Sequence, residues 1–152
     1  MGREDGHAIL SSTCFQLGIA GAQITRSFSL LIQHTGLTHK QVGLLAVVDT
    51  AQASSQREIA AQLGVAPSLV GSLVDQLASI GAVRRTRSRT DRRVQVIEIT
   101  DDGRQLLRLA TDAAKKLDTD LRKHLSPADL QALDRLLPAL LQASSVAADN
   151  RE

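Results

Sequence analysis

Between Arg84 and Arg93, six of ten residues are arginine, at positions 84, 85, 87, 89, 92 and 93, and Asp91 is the only acid among them. The window carries about +5 by formal counting, while the rest of the chain is net −3. A charge density of this kind repels itself unless it meets an anion. Val94, Val96, Ile97 and Ile99 follow, a β-branched run expected of a strand with at least one buried face. The stretch from Arg84 to Thr100 therefore reads as a two-stranded ribbon, with Ser88 to Asp91 as its turn. Arginine's planar fork pairs with phosphate and fits an electronegative minor groove, so nucleic acid is the natural partner for such a finger. The competing reading is a solvated charge run on an exposed hairpin.

What precedes the ribbon favours the first reading. Thr38-His39-Lys40-Gln41 and Ser55-Gln56-Arg57-Glu58 both match a capping box, in which the first hydroxyl accepts from the third amide and the Gln or Glu reaches back. Leu44, Leu45 and Val48 follow the first box, and Ile59, Ala60 and Leu63 the second, which closes at Gly64. A loop is expected from Thr50 to Ser54. Pro67 is well placed in the first turn of the next helix, with Leu69, Val70, Leu73, Leu77 and Ile80 as its buried face. Ser68, Gly71, Ser72, Asp75 and Gln76 are left on the opposite face. Two short helices around a glycine turn, the second with a small polar face, form a helix-turn-helix, and the ribbon behind them makes it winged.

The candidate DNA contacts are accordingly Arg57, Pro67, Ser68, Gly71, Ser72 and Gln76 from the helices and Arg87, Arg89, Asp91, Arg92 and Arg93 from the wing. Pro67 and Gly71 are expected to permit close approach to the duplex. Asp91 is expected to orient the Arg93 fork, since an acid facing phosphate is repelled.

Both ends of the chain carry apolar stripes that one small domain cannot cover. From about His7 to His34, Leu10, Cys14, Leu17, Gly21, Ile24, Phe28 and Leu31 recur by fours and threes along one long expected helix, stopped at Gly36. A helix opening at Thr100 carries Leu106, Leu107, Ala110, Leu117 and Leu121, and another opening at Ser126 carries Leu130, Leu133, Leu136, Leu137, Leu140 and Leu141. Pro138 should kink or break this last helix, and periodicity fades from Ala143. The expected organisation is a single domain over residues 1–152, mostly α with a small β-wing. Its winged core covers about 38–100, with dimerisation helices at about 7–35 and 101–143.

Composition narrows the chemistry. One cysteine, Cys14, precludes an intrachain disulfide and fits a reducing, cytoplasmic setting. No apolar run suits a signal peptide or a membrane span. His7, His34, His39 and His124 are too scattered for a metal motif, no glycine loop for phosphate appears, and no nucleophile has a catalytic setting. No catalytic residue, metal or cofactor is therefore expected.

The segment Asp91-Arg92-Arg93-Val94-Gln95-Val96-Ile97-Glu98-Ile99-Thr100-Asp101-Asp102-Gly103 resembles the D-x-R-x-x-x-(L/I)-x-(L/I)-T-x-x-G signature of the multiple antibiotic resistance regulator (MarR) family. Leu73-Val74-Asp75-Gln76-Leu77 resembles its recognition helix, and the likeness extends over nearly the whole chain. The resemblance implies a homodimer with interleaved terminal helices that binds a pseudo-palindromic operator in double-stranded DNA, as a repressor released by a small apolar or phenolic effector. It implies a ligand pocket between the dimerisation helices and the winged domain, bordered here by Cys14, Leu17, Leu44, Leu45 and Val48. Cys14-Phe15 also resembles the peroxide-sensing branch of the family, although the activating tyrosines of that branch are missing, since the chain has no tyrosine. Two alternatives stay open: a redox-sensing regulator acting through Cys14, and a winged helix used as a protein-interaction or architectural module. The second draws on the lack of Arg and Lys between Ala66 and Ala82.

Overall fold

The computed structural model describes residues 2–51 and 55–149. In chain order it runs α1 (Gly2–Ser11), α2 (Thr13–Ile32), a 3-10 turn (Gln33–Thr35), α3 (His39–Ala51), α4 (Gln56–Leu63), α5 (Pro67–Ser79), β1 (Val83–Arg87), β2 (Gln95–Ile99), α6 (Asp101–Arg122) and α7 (Pro127–Asp149). The strands pair antiparallel, with Val83 opposite Ile99 and Arg87 opposite Gln95. The fold is mostly α with a small β-wing. Among the described residues, no helix is long and apolar enough to cross a membrane.

The core belongs to the winged part. Leu44, Leu45 and Val48 of α3, Ile59 of α4, Val70, Val74 and Leu77 of α5 and Ile97 of β2 are fully buried together, each side chain contributing about 1.5–3 kcal/mol. Leu106 and Leu107 bring the start of α6 onto this cluster. Both capping boxes form: Gln41 N donates to Thr38 Oγ1 and Thr38 N to Gln41 Oε1, and Glu58 and Ser55 repeat the exchange.

One knot joins the end of α5, the base of the ribbon and the start of α6. Thr100 N donates to Ala82 O, and Thr100 Oγ1 donates to Gly81 O while accepting from Gly103 N. Gly103 is buried, and a Cβ there would collide with the Ala82 carbonyl and lie 2.8 Å from Ile99 Cγ1. Only glycine lets α6 begin this close to the backbone behind it.

Several expectations change. The long helix from His7 to His34 is divided at Ser12, which is extended at φ −66°, ψ 143°. The hydroxyls of Ser11 and Ser12 donate to the carbonyls of Ala8 and Ile9, so a Ser-Ser-Thr run competes with the helical backbone. Thr50 and Ala51 lie inside α3 rather than in a loop, and the rest of the expected loop, 52–54, falls outside the described residues. Val74 takes the buried place assigned to Ile80, because Ile80 is the C-cap, where the chain leaves the helix. The ribbon's tip is longer than Ser88 to Asp91: Ser88 N donates to Val94 O and Val94 N to Asp91 O, which leaves Val94 outside the strand and exposed. The last helix passes through Pro138 without ending and continues to Asp149, beyond the expected limit at residue 143.

The terminal helices contrast with this core. Ile32 is the one buried residue of α2, and α7 has none among its described side chains. Leu10, Leu17, Ile24, Leu136 and Leu137 are exposed, and Leu141 reaches 74%.

Candidate nucleic-acid interface

The recognition surface starts with backbone geometry. Gly64, at φ 63°, closes α4 with its N–H on the carbonyls of Ala60 and Ala61, a left-handed cap that glycine adopts without strain. Pro67 then opens α5. Ser68, Ser72 and Gln76 recur every four residues on its exposed face, one above another along the helix. Gly71 is half-buried, and a Cβ there would lie 3.1 Å from Gln56 Nε2 of α4, so α5 lies close against the Gln56 side chain at this position.

Gln76 is not a loose surface side chain. Its Oε1 accepts at 2.8 Å from Nε2 of Gln41, a residue only 8% exposed, and its own Nε2 lies 3.4 Å from Ser72 Oγ. The capping box marked Gln41 as a cap, but its bond to α5 spans 35 residues and leaves no local signature.

The wing is fastened to the same helix. Arg85 pairs with Asp75 of α5 at 2.7 Å, and Arg84 pairs with Glu98 across the ribbon at 2.9 Å. Two of the six arginines are thus structural. Arg87, Arg89, Arg92 and Arg93 are exposed and make no ion pair among the described residues. Arg87 and Arg89 line a hollow of about 690 Å³ under the tip, together with Ser55, Glu58 and Arg104. Arg104 itself pairs with Asp49 and Asp101. Asp91 does not hold the Arg93 fork: its Oδ1 accepts at 2.9 Å from the Arg93 backbone N–H, so it shapes the loop and leaves the guanidinium uncommitted. Arg57 is exposed in the first turn of α4. The surface therefore combines hydroxyl and amide groups on a helix with four uncommitted guanidiniums on a hairpin pinned to it.

A second concavity, of about 460 Å³, lies between α2, α3 and α6. Ile24, Phe28, Val42, Leu117 and Leu121 wall it, and His39 and Asp118 supply its titratable groups. None of the five residues expected to border a pocket lines it. Leu44, Leu45 and Val48 point from the other side of α3 into the winged core, and Cys14 and Leu17 are exposed. Apolar spacing marked a buried face of α3, and that face turned out to be the core side. Cys14 Sγ lies 3.5 Å from Ser12 Oγ, a neighbour made possible by the break at Ser12. Among the described residues, no group of three His, Cys, Asp or Glu side chains is placed to hold a metal ion.

Residues 37–95 match the model of the MarR family. A putative transcriptional regulatory protein for the hcr operon of Thauera aromatica is 33% identical over 121 residues, 79% of this chain and 73% of that protein. The chain belongs to the MarR family. Its kin are DNA-binding transcriptional regulators of the winged-helix type. The MarR-family chain is also 33% identical over 105 residues to the HTH-type transcriptional regulator TtmR of Methylorubrum extorquens strain PA1, a match over 69% of this chain that spans only 54% of that relative's length. Among solved structures, the transcriptional repressor CouR bound to a 23-mer DNA duplex superposes with a TM-score of 0.76 at 28% identity, over 88% of this chain and 92% of that one. CouR from Rhodococcus jostii RHA1 bound to p-coumaroyl-CoA gives 0.77 at 24% identity, over 87% and 93%.

Proposed function

We propose that this MarR-family chain is a homodimeric repressor that binds a pseudo-palindromic operator in double-stranded DNA and releases it when a small apolar or phenolic ligand enters the groove between α2, α3 and α6. The observation that carries the reading is the pinned wing: Asp75–Arg85 fixes the hairpin to α5, so the four uncommitted arginines flank a helix that offers Ser68, Ser72 and Gln76. In this arrangement α5 occupies the major groove, and the wing reaches phosphates and the minor groove. The exposed apolar faces of the terminal helices support pairing with a second copy, since a stripe of this size seeks cover. Two-fold symmetry then sets half-sites about 10 bp apart. Ligand release follows from the groove's address. His39, Val42 and Gly43 line it and bracket Gln41, whose amide is bonded to Gln76, so an occupant that shifts α3 disturbs the base-reading face. CouR, solved both on DNA and with an aromatic thioester, supports that pairing of roles.

The test is selection of bound sites from a random DNA pool, followed by titration at several salt concentrations. Symmetric half-sites and a steep salt slope are expected. Binding without sequence preference would favour the architectural reading and sink the operator. Cys14→Ser is expected to bind DNA and respond to ligand as the wild type does. Release of wild-type protein by stoichiometric hydroperoxide, abolished in Cys14→Ser, would assign the sensing to the thiol instead.

A further inference from the structure

A glutamine amide has two ends of equal size and opposite hydrogen-bonding sense, and only its partners decide which end faces where. At Gln41 the decision is forced. The Thr38 backbone N–H can only donate, and it lies 2.9 Å from the Gln41 amide, so that end is the carbonyl. The other end is therefore the NH2. It faces Gln76 at 2.8 Å, and with Gln41 only 8% exposed an NH2 left unpaired there is costly. Gln76 must in turn present its carbonyl to Gln41. Its NH2 is left outward, beside the Ser72 hydroxyl.

An unrestrained glutamine reads adenine with both ends, donating to N7 and accepting from N6. Here the accepting end is turned back into the protein. We propose that Gln41 is a specificity-determining positioning residue: it makes Gln76 a donor-only reader that, with the Ser72 hydroxyl, selects guanine, whose N7 and O6 are adjacent acceptors, at one position of each half-site. The proposal rests on the reading of α5 as the base-reading helix. It deepens that reading by stating which base the polarity of the Thr38–Gln41–Gln76–Ser72 chain favours.

The experiment is site selection from a random pool with the full-length wild type, Gln76→Ala and Gln41→Glu, each checked for folding by thermal unfolding. Gln76→Ala locates the position by losing preference there. The wild type is expected to select guanine at that position. Replacing it by 7-deazaguanine, which lacks the N7 acceptor, should weaken wild-type binding about fivefold, the worth of one hydrogen bond, and leave Gln76→Ala unaffected. This arm needs no further protein variant to fold. Gln41→Glu keeps an oxygen for Thr38 N–H but sets a second oxygen against Gln76. Gln76 must then turn its NH2 inward and its carbonyl outward, and preference should move to bases that present a donor, adenine through N6 or cytosine through N4. Adenine or cytosine at the Gln76-dependent position of the wild type overturns the proposal, as does an unchanged profile in folded Gln41→Glu. A wild type that selects sites which Gln76→Ala selects identically overturns the proposal alone. A wild type that selects no sites overturns it together with the operator.

Discussion

The winged core and the terminal helices are built from the same aliphatic residues and end in opposite states. Leu44, Leu45, Ile59, Val70, Val74, Leu77 and Ile97 are fully buried within one protomer. Along α1, α2 and α7, Ile9, Leu10, Leu17, Ile24, Leu136, Leu137 and Leu141 remain exposed. The chain has no Trp or Tyr, and its two phenylalanines, Phe15 and Phe28, both lie on α2, so the winged core has no aromatic anchor. The difference lies in closure. The core is sealed by two capping boxes and the Gly64 turn, which act locally, and by the close approach of Gly103 to Ala82, which brings α6 onto the ribbon base. The arms have long stripes without an intramolecular surface to receive them. Burial in the core is thus complete within one chain, whereas the stripes of the arms stay exposed in it.

The largest break in this comparison is expected at Gly103, where any side chain meets the Ala82 carbonyl. Gly103→Val should leave the core unfolded or cost more than about 4 kcal/mol, because the obstacle is backbone and cannot rotate away. Denaturant unfolding at fixed protein concentration measures it. A loss below 1 kcal/mol would mean that α6 shifts freely and that the knot at Thr100 is incidental.

Next in size is a pair of leucines. Leu44→Ala should cost about 3 kcal/mol through lost burial and a cavity, by the same amount at low and high protein concentration. Leu137→Asp should leave the core intact in a monomer but abolish pairing, so that its melting temperature no longer rises with protein concentration as that of the wild type should. Sedimentation at micromolar concentration distinguishes the two. A wild type that is monomeric there, with α7 intact, removes the distinction between core and arms.

These contrasts follow how much of the molecule was legible from residues. Capping boxes, the proline at the start of α5 and the glycines at positions 36 and 64 act over three or four residues, and the helix ends they mark fall where expected: α3 opens after Thr38, α4 lies between Ser55 and Gly64, and α5 opens at Pro67. The arginine hairpin was legible as charge, but its division of labour was not. Asp75 and Arg85 are ten residues apart on different elements, and Arg84 finds Glu98 only once the register is set. Leu44, Leu45 and Val48, expected to border a pocket, face the winged core instead, because spacing shows that a helix has an apolar face and not what that face meets. A heptad pattern does not register hydroxyls that bond back to the preceding turn, so the break at Ser12 leaves no mark in it. The Gln41–Gln76 bond needed two helices brought together before either glutamine became more than a polar surface residue.

A smaller effect separates the two kinds of arginine in the wing. Arg93→Ala should weaken binding on all DNA sequences and lower the salt slope by about 1 if one phosphate contact is lost. Arg85→Ala should also weaken binding, but by freeing the hairpin from Asp75, and should alter sequence preference along with affinity because the wing then no longer has a fixed position relative to α5. Equal salt slopes and identical preferences in the two variants would show that the pin is not required.

The smallest effect lies where α6 and α7 are clamped to each other. Arg122, in the last turn of α6, donates from both terminal nitrogens to the two carboxylate oxygens of Asp134 in α7, each at 2.9 Å. These hydrogen bonds, and the charge behind them, hold the Asp134 carboxyl below its ordinary range and push the Arg122 guanidinium further up. The arginine stays charged throughout the accessible range, so the carboxyl alone sets the pH dependence. Because its folded pKa is depressed, the clamp contributes its full stability above the unfolded carboxylate value of about 3.9. That contribution fades as pH falls through the lower, folded value. Asp120 is held down in the same direction by Lys123, but that pair lies within one turn of α6 and does not join helices. The expected signature is therefore a difference in melting temperature between wild type and Asp134→Asn that is constant from neutral pH to about pH 5 and closes toward zero in more acid solution. Both pairs are exposed and screened by salt, so the difference should be modest and should shrink as ionic strength rises. A gap that persists unchanged at the acid end would mean that Asp134→Asn acts through packing on α7 rather than through the charge it removes.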